Sequence, residues 1–222
     1  MKLLLTLILV LFFILKAFTQ PRLTGDSYNR LGIQAGINYT KLQSDIFLFK
    51  YRPGLMAGLT TRANTVNKFL LIYGVNFYQF NTGIEAIAEN SQTPAEIDFK
   101  ATGVQINLFL GHKLIGEHLS LEAGPVLQIN SKLIPEKGKE NYRLAHFDLV
   151  AEDLQDISRV NFNLAANLSF GLPSIKFWCQ YQYGITNMMR NLDLEELQNK
   201  DSRVTNLKGN LGMAVGGMLV YF

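Results

Sequence analysis

Cysteine is nearly absent from this sequence, and the body of the chain has no long apolar run. The single Cys179 among 222 residues excludes an intramolecular disulfide and a cysteine-based metal cluster. The formal net charge of +3 is too small to indicate nucleic acid or an acidic polymer as a partner. Beyond residue 19, no stretch approaches the roughly 20 apolar residues that a membrane-spanning helix needs.

The longest apolar run lies in the N-terminal segment MKLLLTLILVLFFILKAFTQ. Its core between Lys2 and Lys16 is short for a spanning helix and suits the central region of a signal peptide. Small residues at Ala17 and Thr19 then precede a cut before Gln20. We therefore predict a removed signal peptide over residues 1–19 and a short periplasmic segment over residues 20–29. An uncleaved anchor is the alternative.

From residue 30 onward, apolar residues alternate with polar or small ones at a period of two, which is typical of β-strands. In RLGIQAGINYT, for example, Leu31, Ile33 and Ile37 fall on one face. This pattern predicts eight strands, at residues 30–40, 51–63, 68–84, 97–114, 119–131, 158–171, 175–187 and 205–222. Each is long enough to cross a bilayer at a tilt, which takes about 9 to 11 residues.

The connections between these segments alternate in length along the chain. In order they cover residues 41–50, 64–67, 85–96, 115–118, 132–157, 172–174 and 188–204. In a meander of antiparallel strands every second connection lies at the same rim, so one rim holds the tight turns and the other holds the long loops. Outer-membrane barrels have this arrangement, with an even strand number, short periplasmic turns and longer external loops. We therefore predict an all-β fold, an eight-stranded antiparallel up-and-down transmembrane β-barrel over residues 30–222.

The two faces of the predicted strands differ in chemistry. One face is apolar and uncharged, and the other is rich in Gly, Asn, Gln, Ser and Thr. A soluble barrel such as a lipocalin keeps its apolar face inside. A barrel in lipid turns that face outward, since a lipid-facing charge costs about 2–4 kcal/mol at the bilayer midplane. Loop sorting, strand length and the export signal favour lipid, and a secreted soluble barrel that carries a small apolar ligand is the alternative.

The polar face carries charged residues that the register gathers near the short-turn end of the lumen. This predicted lumen cluster comprises Arg30, Arg62, Lys68, Lys113, Glu122 and Lys176. An eight-stranded barrel is just wide enough for its side chains to fill the interior. We therefore expect a salt-bridged core plugged by Trp178, with a narrow, porin-like anion channel as the alternative.

Aromatic residues near the strand ends predict two interfacial girdles. The lower girdle is expected to contain Phe69, Phe170, Phe177 and Tyr221, and the upper one Tyr39, Phe77, Phe162 and Tyr183.

The final stretch GGMLVYF allows two registers. The more apolar lipid face consists of Leu207, Leu211, Met213, Val215, Leu219 and Tyr221. A terminal insertion signal formed by Tyr221 and Phe222 instead favours an outward Phe222, and a bulge at Gly216-Gly217 would satisfy both.

No catalytic, cofactor-binding or metal-binding motif emerges from the residues. His112, His118 and His146 fall at a strand end, in a tight turn and in a long loop, without metal-ligand spacing. No serine lies in a nucleophile motif, so we predict a protein that is not an enzyme and has no cofactor.

Loops 132–157 and 188–204 are the candidate contacts to envelope proteins. The first has a near-helical apolar pattern that also suits extended strands, and the second predicts a turn of helix after Asn191.

Several stretches resemble the PorT-like outer-membrane β-barrel family of Bacteroidota. They are GIQAGINYT, GLMAGL, VQINLFLGHKL, LSLEAGPVLQI and YQYGITNM, followed by the terminal aromatic residue. INLFLG stands where many relatives have a proline in the fourth strand. The resemblance implies an eight-stranded barrel in the outer membrane, and some members of the family are linked to secretion or gliding machinery. We predict an integral outer-membrane protein with a structural, adhesion or assembly role, whose terminal aromatic resembles the signal read by the barrel-insertion machinery. The resemblance supplies no active site.

Overall fold

The computed structural model describes residues 29–64, 68–88 and 93–222, so the predicted signal peptide at 1–19 lies outside the described residues. Within these ranges the chain forms eight long strands, two short ones and one α-helix, α1 (Leu194–Lys200). The long strands are β1 (Asn29–Gln43), β2 (Phe49–Asn64), β3 (Phe69–Ile87), β4 (Pro94–Ile115), β5 (Leu119–Asn130), β8 (Val160–Gly171), β9 (Ile175–Gly184) and β10 (Asn210–Tyr221). The short strands are β6 (Ile134–Pro135) and β7 (Arg143–Leu144). The eight predicted strands are all present.

The long strands form a closed antiparallel ring in which each pairs with the next along the chain and β10 pairs with β1. The closing ladder runs from the Gly32–Tyr221 pair to the Gln43–Asn210 pair. Closure matters because an unpaired strand edge in lipid would expose backbone N–H and C=O groups that no water can satisfy. Among the described helices, none is long and apolar enough to span a bilayer.

Short and long connections lie at opposite ends of the ring, as the length alternation predicts. Among the described residues, the short-turn rim holds 68, 116–118 and 172–174, and the long-loop rim holds 44–48, 88, 93, 131–159 and 185–209. The first two long connections are shorter than predicted. The first is shorter because β1 extends to Gln43 and β2 begins at Phe49. The second is shorter because β3 and β4 remain paired as far as Ile87 and Pro94. Inward Ile84 and Ile97 continue the alternation there, although the outward residues have become charged.

Apolar side chains face outward along the ring, and polar side chains fill much of the interior. Leu31, Ile33 and Ile37 on β1 are exposed, whereas Asn38 and Thr40 are buried. On β4 the outward apolar face runs from Leu114 to Val104, ten residue steps that span about 25 Å of membrane normal at the usual barrel tilt. This height matches the apolar band of outer-membrane barrels, so the soluble alternative is wrong.

Of the two registers that the sequence allowed for the last strand, the one with the more apolar lipid face is wrong. Leu207 lies before β10, and Leu211, Met213, Val215, Leu219 and Tyr221 are buried inside the barrel, while Met218, Val220 and Phe222 face outward. The ladders to β1 and β9 run without a register shift through Gly216 and Gly217, so no bulge occurs there. Both faces of this strand are apolar because its inner face packs in the barrel core, and alternation alone therefore cannot choose between them.

Exposed aromatic side chains lie at both ends of the outer apolar face. The predicted girdle residues that face outward are Phe69, Phe170 and Phe177 toward the short turns, and Tyr39, Phe77, Phe162 and Tyr183 toward the long loops. Tyr221 was expected in the lower girdle but points into the barrel, where it is buried. The outward terminal Phe222, 70% exposed, lies at that end instead.

The two longest connections fold onto the long-loop rim. In residues 131–159, β6 pairs with β4 and β7 pairs with β3, and a 3-10 helix covers Ala151–Leu154. Extended strands and a short helical turn thus both occur in this loop. In residues 185–209, α1 begins two residues later than a start directly after Asn191 would give. Its N-cap is Asp193, whose carboxylate accepts the backbone N–H groups of Glu195 and Glu196.

Candidate functional site: the filled lumen and the long-loop cap

A buried ion pair crosses the lumen near the short-turn rim. Arg62 on β2 and Glu122 on β5 are 3% and 2% exposed, and Nη1 of Arg62 lies 3.3 Å from Oε1 of Glu122. Ser120 bridges the two groups, since its hydroxyl donates to Oε1 at 2.7 Å and accepts from Arg62 Nη2 at 2.7 Å. The other carboxylate oxygen accepts from Asn167 and from the Ser169 hydroxyl, the latter at 3.0 Å. These hydrogen bonds help to keep two charges buried, although Nε of Arg62 has no hydrogen-bond partner among the described residues.

Two lysines of the predicted cluster meet at the turn between β4 and β5. Lys176 on β9 is 1% exposed and donates from Nζ to the backbone carbonyl of Glu117. Lys113 forms an ion pair with the carboxylate of the same residue. The turn between β4 and β5 is therefore held by one lysine from β4 and one from β9.

The remaining two cations of the cluster lie apart from the ion pair. Arg30 on β1 is half-buried, and its Nη1 donates to the Pro173 carbonyl at 2.5 Å across the barrel end. Lys68 is exposed in the turn before β3. The structure thus brings Arg62, Glu122 and Lys176 into the interior, places Arg30 and Lys113 at its rim, and leaves Lys68 at the surface.

A layer of amide side chains fills the middle of the barrel. Gln105 and Gln182 exchange hydrogen bonds of 3.1 Å in both directions. Asn163 donates to Gln128 at 2.7 Å, and Asn161 donates to Asn130 at 2.9 Å. No motif marks this layer, but the polar face of the strands contains each of its residues. The available sequence signal for these residues, and for Ser120, Asn167 and Ser169, was their position on the inward-facing side of the period-two alternation.

The single tryptophan lies between the ion pair and the amide layer. Trp178 is 3% exposed, and its ring packs over Gly217, where an added Cβ would lie 2.9 Å from the ring and 2.3 Å from the Ala35 carbonyl oxygen. A small space beside it has a volume of about 20 Å³ and is lined by residues that include Gln34, Asn76 and Gln180. That volume suits one water molecule and is far too small for a hydrated ion.

Above the amide layer, apolar side chains form a core that is continuous with the folded loops. Residues 131–159 and 185–209 together form what we call the cap. From the barrel, Phe80, Phe99 and Met213 join this core, and from the cap Leu154 and Met188 do so. All five side chains are buried. The mouth at the long-loop rim is therefore closed by a packed apolar core.

Polar contacts join the two halves of the cap to each other. The buried Asp201 carboxylate accepts the Asp148 N–H at 2.8 Å and the Arg203 guanidinium through bonds of 2.9 and 2.6 Å. The hydrogen bond from Arg203 holds the pKa of Asp201 well below its ordinary value. Lys200 on α1 lies 2.8 Å from Asp153, and this contact raises the pKa of the lysine. Nothing in the sequence indicated the Asp148–Asp201 and Asp153–Lys200 contacts, because the members of each lie about fifty residues apart.

The histidines do not assemble into a reactive site. His112 is exposed on the lipid face and packs edge-on against Phe69 at 5.4 Å, and His118 Nδ1 lies 2.9 Å from the Gly171 carbonyl oxygen. His146 is exposed in the cap with a φ of 68°, and no hydrogen bond reaches its ring from any described residue. Within residues 29–64, 68–88 and 93–222, no group of His, Cys, Asp and Glu could hold a metal ion.

Solved barrels share this architecture. Neisserial surface protein A aligns over 86% of this chain and 97% of its own, with 12% identity and a TM-score of 0.51. Ail, the attachment invasion locus protein of Yersinia pestis, in complex with the heparin analogue sucrose octasulfate, aligns over 87% of this chain and 99% of its own, with 16% identity and a TM-score of 0.49. No match was found among curated proteins.

The sequence itself carries the family relationship. Residues 18–190, well over half of the chain, match the family described as outer membrane protein beta-barrel domain. The closed eight-stranded ring and its outward apolar band agree with that match. The protein is therefore an integral protein of the outer membrane, and the chain belongs to the outer membrane protein beta-barrel domain family.

Proposed function

We propose that this protein is a non-enzymatic and non-conducting barrel whose cap serves as a contact surface in adhesion or in the assembly of the cell envelope. The observation that carries the proposal is the filling of the barrel from one rim to the other. The Arg62–Glu122 pair, the amide layer and the apolar core of the cap follow each other along the axis. A barrel filled in this way presents its outer rim as its accessible functional surface.

Conductance distinguishes this proposal from a narrow porin-like channel. The ion pair, Trp178 and the amide layer fill the lumen, and the space left beside Trp178 is only about 20 Å³. We therefore infer that no continuous aqueous path runs through the described residues. We expect the purified protein to give no steady current steps in planar bilayers, with a known porin as the positive control. Steady chloride-selective steps would refute the filled-lumen proposal and favour the channel.

The rigidity of the cap supports a role in binding. Loops 132–157 and 188–204 are joined by the Asp201 contacts and by a shared apolar core, so little conformational entropy is lost when a partner docks. The exposed His146 ring without a described partner gives no support to an enzymatic role. Partners are expected to be envelope or surface proteins that contact these two loops.

Site-specific photocrosslinking in cells tests the binding role. A photoreactive residue at exposed Glu195 on α1 should yield a discrete protein adduct, and the same residue at lipid-facing Leu108 on β4 is the matched control. Equal adduct patterns at the two positions, or no adduct at several cap positions, would contradict a contact surface on the cap.

We also propose a route to the membrane and a subfamily. Residues 1–19 direct export and are removed, residues 20–29 remain in the periplasm, and the terminal Tyr221 and Phe222 are read by the barrel-insertion machinery. The stretches quoted above support a PorT-like protein of Bacteroidota. Sequencing the N-terminus of protein isolated from the outer membrane tests the cleavage site, since a mature chain that starts before residue 20 would contradict it.

A further inference from the structure

Two neighbouring arginines lie at the long-loop end of β8. Arg159 is exposed at the bend that directly precedes Val160, the first residue of the strand. Arg190 is exposed in the connection that follows β9, and its side chain reaches back to the same place. Its Nε donates to the Ser158 hydroxyl at 2.9 Å, and its Nη2 donates to the Val160 carbonyl at 3.2 Å. The Arg190 guanidinium is therefore hydrogen-bonded to both chain neighbours of Arg159.

This arrangement lets both guanidinium groups reach one ligand on the outside of the barrel. Because consecutive Cα atoms are about 3.8 Å apart, the Cα atom of Arg159 lies within about 10 Å of the Arg190 guanidinium. An extended arginine side chain spans most of that distance. Val160 faces outward, and Arg190, which is bonded to the Val160 carbonyl, is itself exposed. The Arg190 guanidinium therefore lies on the outer surface and not in the closed mouth of the barrel.

The acidic residues nearest to these arginines along the chain are engaged elsewhere. Asp156 lies 2.7 Å from the Lys132 ammonium group. Asp193 accepts the backbone N–H groups at the start of α1. Among the described residues, no carboxylate lies within 4.0 Å of Arg159 or Arg190. Two adjacent positive charges are therefore uncompensated at this point of the rim.

Apolar side chains continue from the arginines toward the middle of the membrane. Val160 is paired with Ile129 on β5. Phe162, the next outward residue of β8, lies beside Ile185, whose N–H donates to the Phe162 carbonyl at 2.9 Å. All four side chains are exposed on the outer face of the barrel. Because Phe162 belongs to the upper aromatic girdle, the two arginines stand at the height of the lipid headgroups.

We propose that Arg159 and Arg190 form a binding site for the phosphate group of a lipid in the outer leaflet. Both guanidinium groups donate to the phosphate oxygens, and Arg190 does so with donors that are not bonded to Ser158 or Val160. The upper part of one acyl chain packs on Val160 and Phe162. Charge complementarity selects the phosphate. The apolar side chains select a lipid over soluble phosphate, because only a lipid contacts them at the same time.

Native mass spectrometry of the detergent-solubilised protein tests the proposal. The full folded chain is titrated with phosphatidic acid, with diacylglycerol of the same acyl chains, and with inorganic phosphate. We expect wild type to bind one phosphatidic acid in preference to diacylglycerol. Because one basic residue contributes a factor of about five to the binding of an anionic lipid, the Arg159→Gln/Arg190→Gln double variant should bind phosphatidic acid about thirtyfold more weakly.

The control variant removes two cations from the same rim at other places on the ring. Lys41 lies on β1, three strands from β8, and Lys100 lies on β4, two strands from β8. Lys41→Gln/Lys100→Gln should bind phosphatidic acid within about threefold of wild type, because solvent ions screen charges at such distances. Heat-dependent gel migration checks that each variant is folded. Equal losses in the two double variants would overturn the proposed site, as would equal binding of diacylglycerol and phosphatidic acid by wild type.

A substitution at Val160 provides an independent test that leaves both arginines in place. Val160→Glu gives the arginines a carboxylate partner and should weaken phosphatidic acid binding about tenfold or more, whereas the uncharged Val160→Gln should keep most of the binding. A lipid-facing charge costs little at the interface, so both variants are expected to fold. Unchanged binding by Val160→Glu, or displacement of the lipid by equimolar inorganic phosphate, would refute the lipid site. Photocrosslinking at Glu195 reports on the contact surface of the cap separately, so the two proposals can fail independently.

Discussion

Replacing Glu122 with leucine tests whether the lumen depends on its buried ion pair. The carboxylate accepts hydrogen bonds from Arg62, Ser120, Asn167 and Ser169. Its removal leaves the Arg62 guanidinium, 3% exposed, without a carboxylate at the centre of the barrel end. The Ser120 hydroxyl, 2.7 Å from Arg62 Nη2, would still accept a hydrogen bond from the guanidinium, but the hydroxyl carries no charge.

The expected loss of stability follows from the burial of both groups. Removing one partner of a buried pair costs about 3–5 kcal/mol, because the other charge remains buried and uncompensated. The double variant Arg62→Leu/Glu122→Leu removes both charges and leaves the neutral donors of Ser120, Asn167 and Ser169 to find other acceptors. Its expected cost is about 1–3 kcal/mol, less than that of the single Glu122 variant.

Guanidinium unfolding in phospholipid vesicles measures these differences. Trp178 is the only tryptophan and lies inside the lumen, so its fluorescence reports directly on the region that is changed. The control is Glu85→Gln, which removes a partly exposed pair with Lys50 and should cost less than about 1 kcal/mol. A loss below about 1 kcal/mol for Glu122→Leu, or a double variant whose loss equals the sum of the two singles, would refute the reasoning.

Three further changes test other parts of the molecule. Gly217→Ala should destabilise the barrel by about 1–3 kcal/mol because its Cβ would lie 2.3 Å from the Ala35 carbonyl oxygen and 2.9 Å from the indole ring, whereas Gly216→Ala should have little effect; equal unfolding midpoints would contradict this. Asp201 has a lowered pKa, so its contribution is complete above its ordinary value of 3.8 and is lost as the pH falls below it. The NMR shift of the Asp148 amide should therefore stay constant from pH 7 to near 4 and move only below that, and a change near pH 5 would argue against the contact. Phe222→Ser should lower the amount assembled in the outer membrane while refolding into vesicles is kept, and normal assembly would contradict an insertion signal.

The fold was largely predictable because the bilayer imposes simple rules on a barrel. Outward residues such as Leu31, Phe162 and Phe177 had to be apolar, and the connections had to sort by length between two rims. These constraints act on each strand by itself, so the period-two pattern reveals them. The register of the last strand was not predictable in this way because its inner residues, Met213 among them, are apolar for a different reason, namely packing in the barrel core.

The candidate site was predictable only in part, because its residues come together from positions that lie far apart in the sequence. The period-two alternation placed Arg62 and Glu122 inside the barrel. The ion pair between them, however, depends on ring closure and on the relative stagger of β2 and β5. The contact between Asp148 and Asp201 joins two loops fifty-three residues apart and follows no period. Loop folding of this kind is governed by tertiary packing, which local patterns do not encode.

The shared core of cap and barrel divides the outer loops into parts that can and cannot accept foreign sequence. Gly138 lies in an exposed turn with a φ of +85° and has no atom near its Cβ position, so an epitope inserted there would extend into solvent. An insertion between Leu149 and Leu154 would instead separate buried side chains that also seal the barrel mouth. As a surface-display scaffold, the protein therefore offers the turn around Gly138 and should reject most changes in the rest of that loop.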